Sequence, residues 1–440
     1  MDFNVKKIVK KPFVRNVIIM ASGTAAAQLV GLLLQPVITR FYGPEAYGLM
    51  GIFVAIIAII GPIAALTYPI AIVLPKSDKD AIGLIRLSLY ISTGISAIVG
   101  LLLLFFSQSI VRVFQIEDVA PFIYLLPLII FFAGCLQVTE QWFIRKKQFR
   151  VSAQVTFLQA LVLNGSKVGI GFFYPVASVL IIITVFGSGL KAFMMIMLSR
   201  VRKEPKLKEK QNKMEKVSIK ELGKRYRDFP VFRAPETFLS SLSQNLPALM
   251  LTSFFGPASA GFYTIGKMVL QLPTNLIGKS VSDVFYPRIS EAAKKGENLT
   301  SLIKKATFGL GVLGIIPFGL VFFFGPWLFS FVFGEEWLSA GEYARWMALW
   351  VFFGFMNRPS VMSLPVLSAQ DFQLKYTVLM LIIRIIALAI GYYGFQSDEI
   401  AIALFGICGA ILNIGLIIIT LYISKKYDKM QGEINENIGT

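Results

Sequence analysis

A helical integral membrane protein of about twelve spans, arranged as two six-helix lobes around a central cavity, follows from three features of this sequence. Of its 440 residues 55% are hydrophobic and 15% charged, with mean hydropathy +0.68, whereas a soluble chain carries roughly 25% charged residues. Apolar runs of spanning length, about 20 residues, recur along the whole chain. A turn sequence near the start returns near the middle. The same composition removes much of enzymology. There is no histidine, so His-based triads, His zinc sites and imidazole switches are excluded. Cys135 and Cys408 are the two cysteines; both lie in apolar runs and read as small core hydrophobes, with no disulfide framework, zinc cluster or iron–sulfur centre.

Taken in order, the first run, 16–39, follows a basic segment and carries Thr24, Gln28 and Gln35. It lacks a small-residue cleavage site and is followed by further spans, so it is not read as a cleavable signal peptide. Runs 48–74, 84–106, 120–143, 151–172 and 175–199 complete a first set of six. The Lys- and Glu-rich stretch 200–228 reads as a basic cytoplasmic linker. Runs 229–255, 258–288, 303–333, 343–367, 374–395 and 399–423 form a second set, and 424–440 is a tail. The two lobes are therefore expected at 1–199 and 229–423. No loop reaches the roughly 40 residues that an independent catalytic domain needs, so an enzyme is not expected.

Cytoplasmic loops retain Lys and Arg, and here the asymmetry is large. With the N-terminus inside, cytoplasmic segments hold 33 of the 43 basic residues; external loops hold Arg40, Arg112 and Arg345, and seven lie within runs. An even number of spans puts both termini in the cytoplasm of a multi-pass plasma-membrane protein. The net charge of +18 then reports topology and contact with anionic lipid, with no nucleic-acid partner.

The repeated turn is Phe41-Tyr42-Gly43-Pro44 with Gly48, and Phe254-Phe255-Gly256-Pro257 with Gly261, an offset of 213 residues. Both copies occupy an external turn, after the first helix of each set of six. Six is even, so the two halves enter the membrane from the same side and the repeat is parallel, with its pseudo-axis along the membrane normal.

Polar residues inside the runs are the functional candidates, because a Lys or Arg at mid-span costs about 2.5–3.5 kcal/mol and usually faces a bundle interior or a wet path. Lys167, Lys191 and Lys279 lie near run ends, where snorkelling accounts for them. Arg233 is spaced to pair with Glu236 at i+3. Lys267, Arg358 and Arg384 lie too deep to snorkel. Lys267, Gln271, Asn275, Lys279 and Asp283 recur every four residues and form a polar stripe on the eighth run. The seventh run adds Ser240, Ser243, Gln244 and Asn245, and the first adds Gln28 and Gln35. Together these are expected to line one cavity, with Tyr68 and Tyr286 as aromatic contacts. Cations outnumber acids there, which favours an anionic ligand. Arg233, Lys267, Lys279, Arg358 and Arg384 are the candidate ligand-binding cations, and Glu236 and Asp283 are the acids available for ion coupling. Gly261-x₄-Gly266-Lys267 imitates a phosphate loop but continues into Met268 inside a span, without the strand and helix such a loop needs. ATP, metal and other cofactors are not expected.

Three further segments carry a family resemblance: Arg40-Phe41-Tyr42-Gly43-Pro44-Glu45-Ala46-Tyr47-Gly48, Phe285-Tyr286-Pro287-Arg288-Ile289-Ser290 and Phe333-Gly334-Glu335-Glu336-Trp337. With them the chain resembles the polysaccharide transporters, or O-antigen-type flippases, of the multidrug/oligosaccharidyl-lipid/polysaccharide (MOP) flippase superfamily. The resemblance implies two six-helix lobes around a cavity, alternating access, and movement of undecaprenyl-diphosphate-linked oligosaccharide from the inner to the outer leaflet. It also implies partners among the polysaccharide polymerase and chain-length machinery, and a role in O-antigen, capsule or exopolysaccharide formation. Relatives use cavity cations on the diphosphate; Arg233, Lys267 and Arg358 are the best-placed matches. The alternatives are a drug or cation antiporter of the same fold, which calls for mid-helix acids, and a membrane-embedded polysaccharide synthase or ligase, which calls for a catalytic acid or base in a sizeable external loop.

Overall fold

The computed structural model describes residues 12–114, 117–201 and 218–438, and these form helices and turns with no strand among them. In chain order the helices are α1 (Pro12–Ile60), α2 (Asp78–Phe114), α3 (Leu126–Arg145), α4 (Phe149–Gly171), α5 (Ala177–Val201), α6 (Ile219–Arg225), α7 (Ala234–Phe255), α8 (Pro257–Pro273), α9 (Lys279–Lys294), α10 (Leu299–Phe333), α11 (Leu338–Met356), α12 (Arg358–Ser363), α13 (Gln370–Phe395) and α14 (Asp398–Ile438). Helix occupies all or part of each of the twelve apolar runs. Among the described residues, seven helical segments are long and apolar enough to cross a membrane by length and composition, from Ser22–Ile63 to Asp398–Gln431. The expected all-helical membrane fold is observed.

Proline and glycine reshape the runs. Runs one and two join in α1, which bends at Gly43 (φ 67°, ψ 172°). The second run does not continue as α-helix to 74. It breaks at Gly61-Pro62 and Tyr68-Pro69 into two short 3₁₀ turns, with Leu66 and Thr67 at positive φ, since each proline removes an N–H and crowds the preceding turn. The fourth run begins as 3₁₀ turns over Glu117–Leu125 around Pro121. The eighth is interrupted after Pro273 by a wide turn at Thr274–Gly278, and the tenth ends at Met356 ahead of Pro359. The tail continues as helix to Ile438.

By packing, the chain divides into two units, 1–253 and 254–440. The boundary falls later than the lobe start expected at 229. In the first unit α1 lies along α4, and α3 packs with α2, α5 and the 3₁₀ turns. The last part of the expected linker is not a tether here: α6 buries Leu222 completely among Tyr68, Ile72, Leu84 and Val138. Residues 202–217 of that linker lie outside the described residues. In the second unit α11 is central, packed by α8, α10 and α14, with α13 on α14. Gly325 and Gly341 let α10 and α11 approach closely: a Cβ on either would lie about 2.5 Å from the other's carbonyl oxygen, the small-residue contact by which helices pack in lipid.

Candidate functional site

Among the expected cations whose side chains are described, Arg384 is the most deeply placed, with 8% of its surface exposed. It sits on α13. Its guanidinium carbon lies 4.8 Å from the centre of the Trp350 ring (α11) and 5.6 Å from that of Phe405 (α14). The two rings touch each other edge-to-face at 5.1 Å, and a weakly hydrated cation held against such rings gains roughly 2 kcal/mol or more per contact once water is excluded. Phe405 packs edge-on to Tyr263 of α8 at 6.4 Å, and Lys267 Nζ, one helical turn further along α8, is 5.8 Å from the Tyr263 ring. Two cations from different helices are thus joined by a frame of three rings. Arg384 has no ion pair among the described residues, and its Nε and the Tyr263 hydroxyl are buried without a hydrogen-bond partner.

Arg358 opens α12 immediately after the break at Asn357. It is half-buried over Gly278, where a Cβ would come within 2.7 Å of Arg358 Nε, so the glycine that closes the wide turn is also the one that admits the guanidinium. Behind it Asn357 Nδ2 donates to Asn413 Oδ1 at 3.0 Å, and Asn413 Nδ2 donates to the Gly409 carbonyl at 2.8 Å. These amides fix α14 against the start of α12. They were not singled out in the sequence, where an Asn in an apolar run signals only some interhelical bond.

The remaining expected residues separate into groups. Arg233 and Glu236 form the i,i+3 pair at 3.2 Å, both more than half exposed, so Glu236 already has a cationic partner. Gln244 Nε2 donates to Ser240 Oγ at 3.2 Å on an exposed surface of α7. Gln35 is buried and donates to the Tyr47 hydroxyl, a bond within α1, while Gln28 is half-buried. On the polar stripe, Lys267 and Gln271 are half-buried and Asn275 exposed; the side chains of Lys279 and Asp283 lie outside the described residues. The wide turn takes more residues per revolution than an α-helix, which offsets the drift a four-residue spacing accumulates. Tyr68 is not a free aromatic contact: it is buried and its hydroxyl donates to the Gly223 carbonyl at 2.9 Å. Lys191 does not rely on snorkelling, because it pairs with Glu140 at 2.6 Å.

The repeated turn has one geometry in both copies. Gly43 has φ 67° and ψ 172°, and Gly256 has φ 90° and ψ 174°, a region that is almost exclusively glycine's, and each is followed by proline opening the next helix. The aromatic two residues before each glycine docks on another ring, edge-to-face in the first copy and stacked in the second. Phe41 meets Phe172 at the end of α4 at 6.1 Å, and Phe254 stacks on Tyr392 near the end of α13 at 4.5 Å.

These helices place the chain in a class defined by fold. A multidrug resistance transporter of the MATE family, solved in an inward-facing conformation, aligns with TM-score 0.70 and 13% identity over 94% of this chain and 99% of its own. The lipid II flippase MurJ aligns with TM-score 0.70 and 18% identity over 96% and 93%, and an outward-facing MATE transporter with 0.58 and 15% over 95% of each. At these identities the likeness is one of fold, and the fold is that of the MOP superfamily. No curated protein matches the sequence significantly. Residues 37–342 match the family described as "Polysaccharide biosynthesis protein", and the chain belongs to that family.

Proposed function

We propose that the protein is a flippase of the cytoplasmic membrane that moves an undecaprenyl-diphosphate-linked oligosaccharide from the inner to the outer leaflet by alternating access. The observation that carries this reading is the cation frame of the second unit. Lys267 and Arg384 meet around Tyr263, and neither Arg384 nor Arg358 is ion-paired to a carboxylate among the described residues. Positive charge held in an apolar bundle attracts an anionic headgroup, and in a polysaccharide biosynthesis family a lipid diphosphate is the membrane-borne anion at hand. With the cell interior negative, outward movement of each negative charge gains about 2.3 kcal/mol per 100 mV, so a diphosphate is helped across without ATP. The charge asymmetry of the loops supports cytoplasmic termini, and the matching turn geometry at Gly43 and Gly256 supports two six-helix halves. The wet path of the second unit is assigned to Lys267, Gln271, Asn275, Lys279 and Arg358, and Gln28, Ser240 and Gln244 are the polar candidates of the first. A cation antiporter would call for unpaired mid-span acids, and Glu236 is exposed and paired.

The test is the distribution of lipid-linked oligosaccharide between leaflets in a host making a defined surface glycan, with the gene deleted and then restored. Inner-leaflet accumulation that reverses on restoration is expected. Normal crossing with altered drug sensitivity or polymer length would overturn the reading in favour of the antiporter or the synthase.

A further inference from the structure

A second basic site lies at the end of unit two that carries the α10 N-terminus. Lys304 and Lys305 of α10 and Lys425 and Lys429 of α14 line a cleft of about 740 Å³, together with Asn298, Thr300 and Ser301. Its one acid, Asp428, is engaged in holding the frame. The Asp428 carboxylate accepts from Leu299 N at 3.0 Å, Thr300 N at 2.9 Å and Thr300 Oγ1 at 2.7 Å. Thr300 and Ser424 share a further hydroxyl bond at 2.9 Å. The two helices are therefore fixed to each other where the lysines diverge from them. Lys304, Lys305 and Lys425 have no ion pair among the described residues.

Helical phase decides what this cleft adjoins. Leu299 and Ile303 are fully buried and turn one face of α10 into the core; Lys304 points away from that face, in line with Phe308 and, further on, Ile315, which are 73% and 60% exposed. On α14, Ser424 and Thr420 face inward and fully buried, while Lys425 follows Tyr422, 72% exposed, and Ile418, also exposed. Each pair of lysines thus terminates a long apolar strip with no protein against it in this chain. Ammonium groups at the foot of an exposed apolar face match an amphiphile whose headgroup carries phosphate. Basic pockets between spanning helices hold such headgroups.

We propose that this cleft binds the phosphate of an anionic phospholipid, with the acyl chains lying along the Phe308–Ile315 and Ile418–Tyr422 strips. The choice of the inner leaflet as the source rests on the orientation proposed above; the binding itself does not depend on transport. The test uses the full-length purified protein in neutral detergent, read by thermal unfolding and by native mass spectrometry. Phosphatidylglycerol, phosphatidylcholine and inorganic phosphate are titrated separately. Phosphatidylglycerol is expected to stabilise the wild type and to remain bound in the gas phase, with phosphatidylcholine and inorganic phosphate giving little. The variant K304Q/K305Q/K425Q/K429Q is expected to lose at least roughly tenfold in apparent affinity. A control, K76Q/K79Q/K147Q/R150Q, removes four exposed charges from the first unit and is expected to bind as the wild type does. Equal loss in both variants would reduce the effect to bulk charge and overturn the site. Undiminished binding by the first variant would overturn it also. Stabilisation by inorganic phosphate as strong as by phosphatidylglycerol would overturn the lipid assignment. If the first variant is poorly folded, the fourfold Lys→Arg replacement, which keeps the charge, must bind normally for the proposal to stand.

Discussion

Lys167 of the first unit and Arg384 of the second stand on the fifth long helix of their respective sets, and both are cations in apolar surroundings. Their surroundings differ. Lys167 Nζ reaches Met50 Sδ at 3.8 Å, and its own carbonyl accepts from the Tyr42 hydroxyl. Arg384 lies against Trp350 and Phe405, Phe405 packs on Tyr263, and Tyr263 is related to Met50 by the same 213-residue offset as the repeated turns. By that offset Lys167 falls on Met380, one turn before Arg384, so the two helices each carry a cation, a turn apart and in different company. One unit holds a single ammonium against a thioether; the other builds an aromatic frame that brings in Lys267 as well. A scaffold shared by both halves carries chemistry that the halves divide unequally.

The largest effect expected from that inequality is on export. K267A, R358A and R384A should each abolish glycan export while protein remains in the membrane, whereas K167M should retain most of it. Surface glycan quantified against immunoblots of membrane fractions measures this. R384K sharpens the point, because lysine keeps the charge and loses the broad, weakly hydrated guanidinium that contacts both rings; reduced export is expected. Wild-type export in both K267A and R384A would sink the cationic model, and loss in K167M equal to that in R384A would erase the asymmetry.

Where the halves are alike, substitutions should act alike. G43A and G256A each force a side chain into backbone that is almost exclusively glycine's, at a cost of about 1–3 kcal/mol. Both should lower the unfolding midpoint by similar amounts. Very different shifts would mean that the two turns bear different loads despite their matching angles.

Near the ends of their helices the units again diverge, now by sign of charge. In the first, Arg145 donates to the Ile72 and Pro75 carbonyls at 3.1 and 2.6 Å and to Asp78 at 2.8 Å, tying the turns after α1 to α3. In the second, the Asp428 carboxylate accepts from the N–H groups that open α10. Hydrogen bonds with one charged partner contribute about 1.5–3 kcal/mol. R145Q and D428N should each be destabilised by an amount of that order, with D428N the milder because its amide oxygen still accepts. Denaturant titration of each variant in detergent would compare them directly.

How much of this was legible in the sequence depends on the range of the interaction. Run positions follow from hydropathy, and Arg233–Glu236 follows from an i,i+3 spacing, because both are local. The breaks at Pro62, Pro69 and Pro273 were less visible, since counting apolar residues registers length and not a missing N–H. Arg384 could be marked as too deep to snorkel. Its rings could not be named, because Tyr263, Trp350 and Phe405 come from three helices far apart in the chain. Lys191 was read as snorkelling for the same reason: Glu140 reaches it from another helix.

The smallest effect belongs to exposed ion pairs, and one from each unit can be compared. Arg225 pairs with Glu221 at 3.4 Å in the first, and Arg288 with Glu297 at 3.2 and 2.5 Å through both guanidinium nitrogens in the second. The hydrogen bonds from Arg288 hold the Glu297 carboxyl below its usual range. A carboxyl depressed in the folded state stabilises it fully above the unfolded value, near pH 4.3, and that contribution disappears as pH falls through the folded value. E297Q should therefore show a slight loss of stability at neutral pH and none once the wild-type carboxyl is protonated. The loss should shrink in high salt, as it does for solvent-exposed pairs. E221Q, with one longer contact, should lie closer still to the wild type. Unfolding midpoints from pH 7 down to the acid limit, at low and high salt, would separate the two, and a loss in E297Q that grows toward acid would contradict the sign.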